Sequence, residues 1–348
     1  MPRRYSLAII SLLIIFGISH EIRAELILAE GSNISLLSCS KIYDRFYLLY
    51  GKWNDNAQEV FLKEYTLAWR QIQERKLGIN GVSAHLAYFN DRFYIAYTSF
   101  EKEGNARIAE FDSEWNFLGD ILATDTPYDG EVAYQLIPLG NDSLYLFYAR
   151  NWQNDCGLKM LKFNRYLEPV KEVTLIRGDI DFHARQASDF SAVFARDEFC
   201  IAYKKYSHPE LNNNEVSGNR NQEEVGQQEE RISMDIFVNE YNFSGDLIKE
   251  RLIDEREKLS PSLFFDNERF YLAYEGERII YICQYDTNWD LVKKTKIITQ
   301  ESGAPREKAI IVSGGRCYLV NISQRDQRNR IFLKEINFAL EKDEIRLQ

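Results

Sequence analysis

Residues 90–99 read NDRFYIAYTS, and nearly the same words return as YDRFYLLYGK at 43–52 and NERFYLAYEG at 267–276. Each is a polar turn followed by a strand rich in aromatic and aliphatic residues. Asn, Asp and Gly suit tight hairpins because they tolerate positive φ or bond their own backbone. Aromatic and β-branched residues favour strands. A chain that repeats a turn and a strand so closely is building the same unit several times.

Taking the second aromatic of each word as a marker gives Tyr47, Tyr94, Tyr145, Cys200, Tyr271 and Tyr318, at intervals of 47, 51, 55, 71 and 47 residues. An apolar stretch precedes every turn, as in AHLAYF (84–89) and PSLFF (261–265). A third strand follows each marker and ends at Tyr65, Phe111, Phe163, Tyr241, Tyr285 and Ile336. Four residues further on stand Trp69, Trp115, Leu167, Trp289 and Leu340, beyond turn words such as DSE and DTN. A fourth strand then reads FLGDILAT, PVKEVTLI, DLIKERLI or LVKKTKIIT.

Four short antiparallel strands, repeated six times at about 50 residues, are the signature of a propeller. The expected fold class is all-β, a six-bladed β-propeller of four-stranded antiparallel blades filling residues 25–348 as one domain. An immunoglobulin-like tandem needs a unit of about 100 residues. A solenoid does not reset with two tight hairpins per repeat. Ring closure stays open. ELILAE (25–30) resembles a fourth strand, and LEKDEIRLQ (340–348) can also serve as one.

The words SPSLFFDNERFYLAYE…CQYDTNWDLV and SAHLAYFNDRFYIAYTS…AEFDSEWNFLG carry a resemblance. The chain resembles a broad group of secreted six-bladed propeller proteins, over nearly all of 25–348. That resemblance implies fold and not function, since propellers serve binding and catalysis alike. The SxDxGxTW box of sialidase-type propellers, the WD pattern and the kelch double glycine are missing from the sequence.

The N-terminus is a separate object. Arg3 and Arg4 precede an apolar run from Leu7 to about Ile18, and Ala24 follows. Basic, apolar, then small is the order of a signal peptide over 1–24. The run is shorter than the roughly 20 residues of a spanning helix. Cleavage after Ala24 is expected, with an uncleaved anchor as the alternative, and the protein is then secreted or periplasmic with no remaining membrane span. Losing Arg3, Arg4, Arg23 and Glu21 moves the net charge from −10 to −12. An acidic surface repels phosphate backbones, which excludes nucleic acid as the expected partner. A monomer is expected.

Five cysteines (39, 156, 200, 283 and 317) form no CxxC motif and have no histidine at zinc-ligand spacing. They read as small buried hydrophobes. The insertion at 207–231 is almost free of apolar residues and rich in Asn, Gln and Glu, so disorder is expected. Sequons occur at Asn33, Asn141, Asn242 and Asn321.

In a four-strand blade, turns one–two and three–four share one face, and the blade crossings share the other. The crossings are the longer and more variable, so they are expected to carry the site. They gather Tyr128, Asp129, Glu131, Asp179, Asp181, His183, Arg185 and Arg306. Tyr128, Asp129, Glu131, Asp181, His183, Arg185 and Arg306 are the candidate ligand-binding residues. Asp179 and Asp181 could ligate calcium with backbone oxygens. No other cofactor is called for. The expected function is an extracytoplasmic module binding a glycan or protein. The alternative is a glycan-active hydrolase or lyase, with one carboxyl as acid and another as base or nucleophile.

Overall fold

The computed structural model describes residues 26–346 apart from 55–56, 100–104, 125–130, 151–156, 178–189, 208–232, 255–258, 277–278, 299–307, 326–327 and 337–344. The chain opens with β1 (Leu26–Gly31), β2 (Ile34–Ile42), β3 (Arg45–Trp53), β4 (Gln58–Thr66) and the long β5 (Gln71–Phe89). β6 (Arg92–Ser99), β7 (Ala106–Phe111), β8 (Phe117–Leu122), β9 (Glu131–Leu139), β10 (Ser143–Arg150), β11 (Gly157–Asn164) and β12 (Pro169–Arg177) follow. Then come β13 (Phe190–Ala195), β14 (Glu198–Ser207), β15 (Ser233–Tyr241), β16 (Leu247–Asp254), β17 (Leu259–Asp266), β18 (Arg269–Gly276), β19 (Ile279–Tyr285) and β20 (Leu291–Ile298). The last are β21 (Lys308–Ser313), β22 (Arg316–Arg325), β23 (Arg328–Ile336) and the short β24 (Ile345–Arg346).

Successive strands pair antiparallel in β9–β12, β13–β16 and β17–β20, and β2 to β8 run as one continuous sheet. That sheet holds two four-strand units, because β5 is shared. Its first half pairs with β4 up to Asn80, and its second half pairs with β6 from Gly81. Positive φ at Gly78 (74°) and Ser83 (55°) marks where it turns from one unit to the next. The molecule is a β-propeller of antiparallel four-stranded blades, as the repeat spacing predicts.

The second strand of each unit is buried along nearly its whole length, on both faces. The markers Tyr47, Tyr94, Tyr145, Cys200, Tyr271 and Tyr318 are all buried. Apolar clusters lie between neighbouring blades. One joins β9–β12 to β13–β16, and another joins β1, β22 and β23 to β2 and β3. An alternating strand can be apolar on both faces only if each face meets another sheet.

The turn words have a conformational cause. The first turn of each unit carries a residue at positive φ: Tyr43 (52°), Asn90 (49°), Gly140 (57°), Arg196 (60°), Asn267 (49°) and Gly314 (59°). The second turn puts Trp69, Trp115, Leu167 and Trp289 at φ of 58° to 68°. There each indole stacks on the first aromatic of the marker strand: Phe46–Trp69 at 4.1 Å, Phe93–Trp115 at 4.0 Å and Phe270–Trp289 at 4.1 Å. In the β13–β16 blade Gly245 (φ 85°) holds that position, and Phe243 supplies the ring against Phe199, 5.6 Å away.

Ring closure is decided by the N-terminal strand. β1 pairs antiparallel with β23 and completes the blade of β21–β23. The C-terminal β24 instead pairs parallel with β20, on the outer edge of the preceding blade. The expected signal peptide over 1–24 lies outside the described residues, as does the insertion expected at 207–231 except Ser207, which ends β14 paired with Ser233. Among the described residues no helix is long and apolar enough to cross a membrane. Cys200, Cys283 and Cys317 are buried and unpaired, and burial pushes the Cys317 thiol up to about 12. They pack as small hydrophobes. Cys156 lies outside the described residues.

Candidate functional site

The first strand of each unit has one paired edge and one edge toward the propeller axis. β2, β5, β9, β13, β17 and β21 together line an axial cavity of about 850 Å³. Unpaired backbone groups on such edges must find partners. In β5, β9, β13 and β17 one polar side chain reaches the next blade to provide them. Nδ1 of His85 accepts from the Leu136 N–H at 3.3 Å. Gln135 accepts from the Ala192 N–H at 2.7 Å and donates to the Ala192 carbonyl. Oγ of Ser191 accepts from Leu263 N–H at 3.0 Å, and Oγ of Ser262 accepts from Ile310 N–H at 3.2 Å. Ser38 holds the same register position in β2, and its buried Oγ has no hydrogen-bond partner among the described residues.

These bonds set the protonation of the channel. His85 must stay neutral at Nδ1 to accept, and enclosure by the ring lowers its pKa to about 4. Between the polar groups stand Leu37, Ile42, Val82, Ile137, Val193 and Phe264. Lys41 is the one residue of fixed charge on the described cavity wall, and no carboxylate lines it. The wall therefore offers shape, apolar contact and neutral hydrogen bonds, but no acid–base pair.

Five carboxylates elsewhere in the blades are engaged by tyrosines. Tyr97 donates to Asp120 at 3.0 Å, Tyr203 to Glu250 at 3.0 Å and Tyr274 to Asp254 at 2.5 Å. Tyr50 and Tyr148 bond Glu74 and Glu172 in the same way. Burial, and then the Asp120 carboxylate, pushes the Tyr97 phenol up to about 12. Cations complete the sets: Lys63 lies 3.5 Å from Glu74, and Lys294 lies 3.0 Å from Asp254. Among the described residues no group of three or more His, Cys, Asp or Glu could hold a metal.

Of the residues expected on the crossings, Tyr128, Asp129, Asp179, Asp181, His183, Arg185 and Arg306 lie outside the described residues. Glu131 opens β9, with its backbone opposite Arg150. The segments 125–130, 178–189 and 299–307 run into β9, β13 and β21, three of the channel-lining strands. His85 is a satisfied structural residue, bonded to the next blade through Nδ1. Gln135, Ser191 and Ser262 escape a search for chemistry, because their work is to cap backbone. Their signal is a lone polar residue in the middle of an apolar first strand.

No family model matches the chain, and no curated protein matches it in sequence. Among solved structures it is similar to the catalytic domain of Coprinopsis cinerea GH62 alpha-L-arabinofuranosidase. The identity is 10%, over 89% of this chain and 93% of that one, with a TM-score of 0.50. It is also similar to a subtype N10 neuraminidase-like protein of A/little yellow-shouldered bat/Guatemala/060/2010. There the identity is 7%, over 91% and 99% of the two chains, with a TM-score of 0.50. At such identities the likeness is one of fold. Fold and site together define the class: a β-propeller with an axial channel whose described wall is apolar and neutral apart from Lys41.

Proposed function

We propose that this chain is an extracytoplasmic binding module, a single six-bladed domain over 25–348 released by cleavage after Ala24. The sixth blade is counted by dividing the long sheet at β5 and completing the last blade with β1. The observation that carries the reading is the described channel wall around a cavity of roughly 850 Å³, which holds apolar surface, neutral donors and acceptors and Lys41, with no carboxylate among its described residues. Such a wall fits a ligand without supplying the two carboxyls that glycoside hydrolysis needs. The ligand, a glycan or a protein segment, enters from the crossing face. Tyr128, Asp129, Glu131, Asp181, His183, Arg185 and Arg306 meet it at the rim, and calcium held by Asp179 and Asp181 orders that rim.

The arabinofuranosidase and neuraminidase-like propellers that share the fold favour a second reading, in which the chain acts on glycans. Both carboxyls would then come from the crossings, with Asp129 and Asp181 as acid and base or nucleophile. A glycan array with and without calcium, followed by a glycosidase substrate panel, separates the two. Retention without turnover supports the binding module. Turnover lost in Asp129→Asn or Asp181→Asn replaces it with the enzyme. Calcium or a sugar acid is expected to raise the melting temperature by mass action, and Asp181→Asn to abolish the rise. A rise that persists in Asp181→Asn refutes the rim site.

A further inference from the structure

The face opposite the crossings carries its own cavity. About 780 Å³ lie among the first-turn and second-turn loops around β5, β9 and β11, within the usual range of small-molecule sites. The Asn90–Asp91 hairpin and Arg92 form one side, and Asn141, Arg165 and Tyr166 form the other. Tyr43 and Tyr88 line both this cavity and the axial channel, so the two adjoin.

Two residues here depart from what the repeat requires. The first-turn position at positive φ is Asn, Gly or Arg in the other units, yet Tyr43 occupies it with its side chain 76% exposed. An aromatic residue in the left-handed region is strained and gains nothing from the core. In the second turn, the residue before the positive-φ position is Ala68, Glu114, Ser244 or Asn288 elsewhere, but Tyr166 here, 75% exposed. Both departures add an exposed phenol ring, and both rings face the same cavity.

The Tyr43 ring and the Tyr166 turn are held. Tyr43 meets Tyr88 edge to face at 5.4 Å. The Tyr166 turn is fixed by Asn164, whose Oδ1 accepts from the Tyr166 N–H at 2.9 Å and the Glu168 N–H at 3.0 Å. Nδ2 of Asn90 donates to the Arg165 carbonyl at 3.4 Å, which ties two blades across the cleft. The charged lining is balanced: Asp91 and Glu110 face Arg92 and Arg165, with Arg92 bonded to Glu110.

We propose that this cleft is a binding site for a neutral oligosaccharide. Sugar rings present a flat C–H face that stacks on a phenol, and vicinal hydroxyls that pair with carboxylate, amide and guanidinium groups. The cleft supplies each of these with no net charge. A proline-rich peptide would dock in a groove lined mainly by apolar aromatics, and this lining is mostly polar. The site adjoins the channel through Tyr43 and Tyr88 but lies on the face opposite its crossings.

The test uses protein from a host that leaves Asn141 unglycosylated. A glycan array is followed by calorimetry with cellotetraose, maltotetraose and xylotetraose, with tetragalacturonic acid and a proline-rich decapeptide as counter-probes. At least one neutral tetrasaccharide is expected to bind. Tyr43→Ala and Tyr166→Ala should each weaken it by about tenfold, the loss of one stacked face. Asp181→Asn should leave it unchanged, which separates this site from the channel reading. Tyr43→Gly should weaken binding while holding or raising the urea midpoint, because glycine relieves the backbone strain. No neutral glycan bound, binding that survives both alanine substitutions, or preference for the acidic sugar or the peptide overturns the proposal.

Discussion

Tyr94 and Tyr271 show how a residue in the repeat earns its conservation within the chain. Each is buried in the middle of a blade, and Tyr94 packs with Phe89 of its own blade and with Leu136 and Leu144 of the next. Tyr94→Ala or Tyr271→Ala should cost roughly 3–5 kcal/mol, the range for emptying a large aromatic site. Near-wild-type urea midpoints in both would contradict the register. His85 gives a pH prediction. Its pKa is about 4 in the fold against about 6.5 for a free histidine, so the unfolded chain binds the extra proton. Stability from this group is complete above about pH 6.5 and falls as the pH drops toward 4. Because His85 is partly exposed to the channel, the loss should be about 1–3 kcal/mol. Urea midpoints from pH 7 to 4.5 read it, and His85→Gln should flatten the slope. An unchanged slope in that variant assigns the pH dependence elsewhere.

At the scale of the element, the longest interval in the repeat is the segment between β14 and β15. Ser207 pairs with Ser233, so the two ends of that segment lie side by side. The blade therefore does not need the intervening backbone. Limited proteolysis should cut first within 208–231 and leave two associated fragments. Replacing 208–232 with Asn-Gly should hold the melting temperature, since that pair makes a two-residue hairpin. Cleavage elsewhere first, or a large fall in melting temperature, counts against the expected disorder. The second turns make the complementary point. Their Asx-type bonds, such as Asp112 Oδ1 accepting from the Glu114 and Asn116 N–H groups at 2.8 Å, are local. Local bonds are why those turns could be read from short words.

Over the whole molecule, β1 joins the two ends of the ring. Its Leu28 and Ala29 are buried, and the Leu28 carbonyl accepts from Lys63 at 2.7 Å and from Tyr65 at 3.1 Å. It thus bonds to β4 of the first unit while pairing with β23 of the last. Deleting 26–31 should lower stability by roughly 3–5 kcal/mol through lost burial, and bare the β23 edge to pairing with other chains. Urea unfolding and size-exclusion chromatography read both effects. A monomer of unchanged midpoint would mean that another strand closes the ring.

What could be read from the sequence is what repeats locally. The marker strands, the turn words and the spacing of about 50 residues name the propeller, because every blade fills the same wedge with the same chemistry. The buried cysteines were also legible, since their neighbours along the chain are apolar. Three things were not. ELILAE and LEKDEIRLQ read as equivalent fourth strands, and pairing alone placed one on β23 and the other on β20. The capping roles of Gln135, Ser191 and Ser262 depend on groups about 50 to 70 residues away, which no local pattern reveals. The cleft at Tyr43 and Tyr166 was hidden for the same reason. Each is one of 21 tyrosines in the chain, and only the ring brings turns 123 residues apart to one cavity.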